Sequence, residues 1–262
     1  MRINQIAKAA TLVVIASFIS RDVDAQSLAS RIANARDGKV RFTFAPKPEV
    51  CGSGNSISRG GSNHMNWSPS ESPDVTYEEE CSHSPVRIVL SVAHGQPTKL
   101  RTYVGGQWRA PTEPTTDLGA VSTRDATNYL LSLASSNDGP VARDAILPAI
   151  LADSVNVYPQ LARIARDDSR PHSTREQATF WLGQAAADAI APDRDGKASE
   201  DSEIRKQAVF ALSQRHREES VPALIQVAKN NRDPEVRRSA LFWLGQTGDP
   251  RAISLFEEIL NH

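Results

Sequence analysis

The sequence predicts a mainly α-helical fold. About four helix pairs fill residues 117–262, and a small disulfide-linked α/β module built on an antiparallel hairpin precedes them at 26–116. Three observations carry this expectation. A pattern recurs in the second half: Arg175–Gln184, Arg205–Gln214 and Arg237–Gln246 share Arg, Ala, Phe, Leu and Gln at the same offsets. Self-similarity of this kind marks a repeat architecture. Polar and apolar residues alternate from Lys39 to Ala45, and Val86–Val92 and Thr98–Val104 read as two strands of a hairpin. Finally, Cys51 and Cys81 bracket a segment poor in core residues.

Composition agrees with a soluble globular chain: 39% apolar, 23% charged, formal net charge −1. A nucleic-acid partner normally requires a basic excess, which this chain lacks. The first 25 residues read as a signal peptide. Arg2 and Lys8 supply a positive start, and Ala9–Ser20 is an apolar run too short for the ~20 residues of a spanning helix. Val23-Asp24-Ala25 fits a small-residue cleavage rule, with Gln26 first in the mature chain. Gln rather than Cys at 26 speaks against a lipid anchor. Export to a periplasmic or extracellular compartment is therefore expected, and there two cysteines most simply pair with each other.

From Gln26 onward, Ser27–Arg36 suits a short helix with Leu28 and Ile32 on one side, ended by Gly38. Lys39–Ala45 is a strand, stopped by Pro46 and Pro48. Val50–Pro85 is rich in Gly, Ser, Asn and Pro and reads as a long loop or irregular strands stapled at the base, with a short strand at Val75–Tyr77. The hairpin follows, its turn at Ala93–Pro97. Ala110–Thr116 reads as a Pro/Thr linker, which puts the domain boundary near Asp117.

Helical patterns fill the rest. Ser122 or Thr123 caps the first, whose stripe is Ala126, Tyr129, Leu130 and Leu133. Asn137–Pro140 is a break, and Pro148 kinks or splits the next helix, Val141–Ala152. Tyr158-Pro159 opens another. After Gln184 a corner and a weak second helix at Ala185–Ala191 are expected, followed by a loop. Asp233-Pro234 and Asp249-Pro250 each place a capping carboxylate before a proline at the first helical position. Ala252, Leu255, Phe256, Ile259 and Leu260 then form one helical face. Asp233–Leu260 reads as the terminal unit of a stacked array, with Glu257, Glu258, Asn261 and His262 on its polar outer side.

The Asp-x-Glu-[Ile/Val]-Arg starts at Asp201–Arg205 and Asp233–Arg237, the Ala-x-Phe-x-Leu cores and the Gly248–Ala252 corner resemble bacterial HEAT repeats of the short, ~30-residue type. Pro171 departs from the family start, standing where Asp is expected. The resemblance covers the later part of the chain. It implies an α-solenoid that binds macromolecules through a groove lined by second helices, and it implies no catalytic residue.

The expected function is thus a non-enzymatic interaction scaffold or adaptor in a bacterial envelope, with a protein partner. The candidate binding face comprises Gln160, Arg163 and Arg166 on one helix, Gln226, Lys229 and Asn230 on a second, and Ser254 and Glu257 on a third. Its mixed sign suits a polar protein surface. Two alternatives stand beside it: a regulator or inhibitor of an envelope protease acting through the 50–85 loop, and a lyase subunit, since bilin-attaching lyases also carry short HEAT-like repeats.

No nucleophile elbow, metalloprotease helix or phosphate-cradling glycine motif is present, and no cofactor is expected. Cys51, His64, Cys81 and His83 are zinc-ligand types, but no closely spaced pair occurs among them, and the disulfide is the better reading. Trp181 and Trp243 share stripes with Leu182 and Leu244 and read as core. Gln184, Gln214 and Gln246 read as corner-bonding residues. Arg175, Arg205 and Arg237 read as partners for carboxylates of neighbouring repeats, with Asp201 and Asp233 the obvious candidates.

Overall fold

A computed structural model describes residues 27–35, 37–59, 64–65, 72–190 and 200–261. The expected signal peptide and its cleavage site lie outside the described residues. No helix among the described residues is long and apolar enough to cross a membrane.

The first described element is α1 (Leu28–Ala33), where Ser27 accepts a hydrogen bond from the Ser30 N–H, and β1 (Gly38–Phe44) follows. β2 (Val50–Gly52), β3 (Ile57–Arg59) and β4 (His64–Met65) make a small antiparallel sheet. Cys51 and Cys81 are joined, with Cα atoms 5.3 Å apart. The hairpin is β5 (Val86–Ala93) and β6 (Gln96–Val104). Its turn is tighter than expected: only His94 and Gly95 connect the strands, both with positive φ (51° and 75°). Two consecutive left-handed residues are what a two-residue hairpin needs to follow the right-handed twist of its strands.

Thr115–Ala120, which straddles the expected domain boundary, is strand β7 and pairs parallel to β1. The linker reading fails there because β7 has no apolar alternation of its own. Its order comes from Lys39, Arg41 and Thr43, the residues of β1 that face it. The main sheet therefore runs β6-β5-β1-β7. Its even-numbered side chains (Val40, Phe42, Phe44, Ile88, Leu90) point inward and are buried. They share one apolar cluster with Leu28 and Ile32 of α1 and with the helices that follow, so the core is continuous from the sheet into the helical part.

Those helices are α2 (Thr123–Ser136, capped by Ser122), α3 (Pro140–Asp144), α4 (Ile146–Leu151) and α5 (Tyr158–Arg166). Pro148 splits the expected 141–152 helix. With no N–H it cannot bond back to the Asp144 carbonyl, and the break falls at Ala145. Next come α6 (His172–Ile190), α7 (Glu200–Ser213), α8 (Arg217–Asn230), α9 (Pro234–Gly245) and α10 (Pro250–Leu260). α6 runs unbroken past Gln184, so the expected corner and second helix at Ala185–Ala191 do not form; Ala185 and Ala186 are buried and carry the helix onward. Asp233 and Asp249 cap as expected, accepting from the Glu235 and Arg251 N–H groups at 3.0 and 2.8 Å.

The repeats do not stack in chain order. α9 packs against α6 on one side and α7 on the other, with little direct contact between α6 and α7 among the described residues. Equivalent residues meet across the α6–α9 seam: the Phe180 and Phe242 rings are 6.3 Å apart, and a Cβ on Gly183 would lie 2.8 Å from the Gly245 Cα. On the other side Phe210 of α7 meets Trp243 of α9 at 5.0 Å. The Asp233–Leu260 unit is thus interior rather than terminal, and an in-line array is not what forms. The reason lies in the copies themselves. Gly183 and Gly245 let two helices approach closely, whereas the middle copy carries Ser213 at that offset.

Candidate functional site

α5, α10 and α8 form a row on one side of the molecule, because α10 follows α9 into the gap between the other two pairs. Side chains tie the row together. Arg166 of α5 reaches Glu257 of α10 at 2.5 Å and Ser254 at 3.3 Å, and Lys229 of α8 reaches Glu258 at 2.7 Å. Glu257 and Glu258, expected on an outer cap, bridge instead to both neighbours. Gln226 accepts from Asn230 within α8 at 2.7 Å. Gln160 and Arg163 are exposed on α5, and neither has a partner among the described residues. The sequence-predicted face is therefore one contiguous surface, polar and of mixed sign.

The other repeated residues have structural roles. Trp181 is 2% exposed and Trp243 packs against Phe242 at 4.9 Å, so both serve the core. Arg205 of α7 pairs with Asp233 at the start of α9 at 3.6 Å. Arg175 instead takes Asp168 at 2.8 Å, and Arg237 donates to the Asn231 carbonyl, in each case within the loop before its own helix. The side chain of Asp201 lies outside the described residues. Gln246 caps α9 and Gln214 sits just beyond α7, whereas Gln184 lies inside α6. Phe210 is 47% exposed although its repeat offset reads as core, because α7 lies at the end of the α6–α9–α7 layer and, among the described residues, only its α9 side in that layer is covered. Ala208 and Ala211 are exposed for the same reason, while the equivalent Ala178, Ala240 and Trp181 are buried.

Of the four zinc-type residues, Cys51 and Cys81 are bonded to each other and His83 Nδ1 lies 2.9 Å from the Val50 carbonyl. The side chain of His64 lies outside the described residues. The 50–85 segment is pinned to the main sheet at several points. Gly54 exchanges two backbone hydrogen bonds with Val104, and Val75 bridges to Trp108 across the outer face.

That outer face holds a charged cluster the sequence did not announce. Asp74, 8% exposed, receives hydrogen bonds from Lys39 at 2.7 Å, Arg101 at 2.9 Å and Tyr103 at 2.8 Å. Burial alone would push its carboxyl up. The bonds from Lys39 and Tyr103 and the charges of Lys39 and Arg101 outweigh that and hold it below the usual carboxylate range. Burial, with the neighbouring Asp74, pushes the Tyr103 phenol up to about 12. Beside this cluster Arg41 and Arg87 stack on Trp108, their guanidinium carbons 4.9 and 5.6 Å from the ring centre. Every charge here is met by another or by a ring, which is the arrangement of a structural clasp holding the strap to the sheet.

The family model for HEAT repeats matches residues 197–262, a region spanning α7 to α10. No curated protein and no solved structure matches the chain.

Proposed function

We propose that this chain is an exported, non-enzymatic adaptor of the bacterial envelope that docks a protein partner on the α5–α10–α8 face. The observation that carries the reading is the contiguity of that face. Gln160, Arg163, Arg166, Gln226, Lys229, Asn230, Ser254 and Glu257 come from three separate stretches and lie on one row of helices. HEAT repeats generally mediate protein–protein contacts, which supports a scaffold role. The Cys51–Cys81 pair supports an oxidising compartment. The mixed charge of the face supports a polar protein partner.

Photo-crosslinking tests this. A crosslinking residue at position 163 should capture a defined protein from an envelope extract, and a Gln226→Glu/Lys229→Glu background should lose it. An Arg124→Glu background, altered at the exposed start of α2 outside the three-helix row, should keep it. Capture unaffected by the α8 changes overturns the assignment of the face.

A further inference from the structure

β6 is an edge strand of the main sheet. In an antiparallel ladder successive residues direct their backbone N–H and C=O groups to opposite sides. Val104 fixes the phase: its N–H and C=O bond to Gly54, on the side away from β5, at 2.9 and 2.7 Å. Counting back by twos, Thr102 and Leu100 turn their backbone groups the same way, away from β5. No partner for those groups occurs among the described residues. Gly54 thus closes one end of the β6 edge and, among the described residues, leaves the next stretch open.

The open stretch borders a cavity of about 680 Å³ between β6, the Ser72-Pro73 segment and the helical wall of α3, α4 and α6. Leu100, Leu147 and Ile57 give it an apolar lining, and Lys99, Arg101 and Arg143 bring three cations to it against the single carboxylate of Asp144. Asp144 is held by Arg143 at 3.0 Å, and Arg101 spends one nitrogen on Asp74 behind it. Lys99 is exposed and has no partner among the described residues. An unpaired strand edge templates the addition of another strand: main-chain bonds supply affinity and flanking pockets supply selectivity.

We propose that the free edge of β6 takes up an extended acidic segment of a protein partner as an added strand, its backbone bonded to Leu100 and Thr102 and its carboxylates facing Lys99 and Arg101. This site is separate from the α5–α10–α8 face, and neither depends on the other.

The test uses the whole chain and a fluorescent Val-Glu-Val-Glu-Val probe. Hydrogen exchange should show the Leu100 and Thr102 amides open in the free protein and protected with probe. Thr102→Pro removes one outward N–H while leaving the β5–β6 ladder intact, since that position does not bond to β5. It should weaken the probe severalfold, up to about tenfold, the scale of one lost hydrogen bond. Lys99→Glu, exposed and unpaired, should weaken it similarly, and a Val-Lys-Val-Lys-Val probe should not bind. Equal affinity of the wild type and both variants overturns the proposal. So do amides already protected without probe, and so does absence of binding by the wild type.

Discussion

Gly183→Ala puts the seam between α6 and α9 to a quantitative test. On an exposed helix this substitution stabilises by about 1 kcal/mol, because alanine loses less backbone freedom. Here the new methyl would meet the Gly245 Cα at 2.8 Å, the Leu241 carbonyl oxygen at 3.0 Å and the Gly245 nitrogen at 3.2 Å. Carbon atoms prefer about 3.5–4.0 Å. All three neighbours are backbone, so no side chain can swing aside and the helices must part. Overpacking of this kind costs about 1–3 kcal/mol. Parting the helices also loosens the Phe180–Phe242 contact and the packing of Leu182 and Leu244, so the upper half of that range applies. Set against the propensity gain, the net loss is about 1–2 kcal/mol, a fall of roughly 2–8 °C in Tm for a chain of this length. Ser213→Ala, at the same repeat offset on α7, is the control and should stay within about 0.5 kcal/mol. Thermal and urea unfolding followed by circular dichroism would measure both. A Gly183→Ala protein as stable as wild type or more so would refute the seam, and a large effect at Ser213 instead would favour stacking in chain order.

Asp74→Asn should cost about 3 kcal/mol near neutral pH, since it leaves Lys39 and Arg101 facing a neutral amide in a buried place. Because the folded carboxyl titrates below its unfolded value of ~3.9, its contribution is complete above that pH and is lost as pH falls through the folded value. The gap between wild type and variant in urea titrations should therefore close in acid and stay constant from about pH 5 to 8. Replacing both Cys51 and Cys81 by serine should destabilise by about 3–4 kcal/mol on the chain-entropy model for a 30-residue separation, read as a lower urea midpoint. Arg166→Ala, which removes an exposed ion pair, should change stability by less than about 1 kcal/mol by the same assay.

What was legible in the sequence was local. Ser122, Asp233 and Asp249 cap helices through bonds to residues two or three further along, so the chain around them suffices. The alternation at 39–45 and the hairpin likewise need only period and turn. What was not legible depends on distant partners. β7 carries Thr, Asp and Gly and is ordered by pairing with a strand some seventy residues earlier. The order of the repeats depends on which copies fit each other. The clue was present in Phe-Trp-Leu-Gly-Gln, shared by the first and third copies and broken in the second by Ala211 and Ser213. The three stretches of the polar face were visible as exposed helix sides, but their adjacency follows from the position of α10. The open edge of β6 needed the phase set by Gly54.

The interior position of α9 has a consequence for biosynthesis. α6 leaves the ribosome with its apolar Phe180 and Leu182 and its glycine notch uncovered, and α7 and α8 emerge next without covering that notch. Only when α9 has been made does the matching notch arrive. A nascent chain of this kind exposes a greasy groove for the whole time α7, α8 and α9 take to appear, and it has every reason to be held by a chaperone until then.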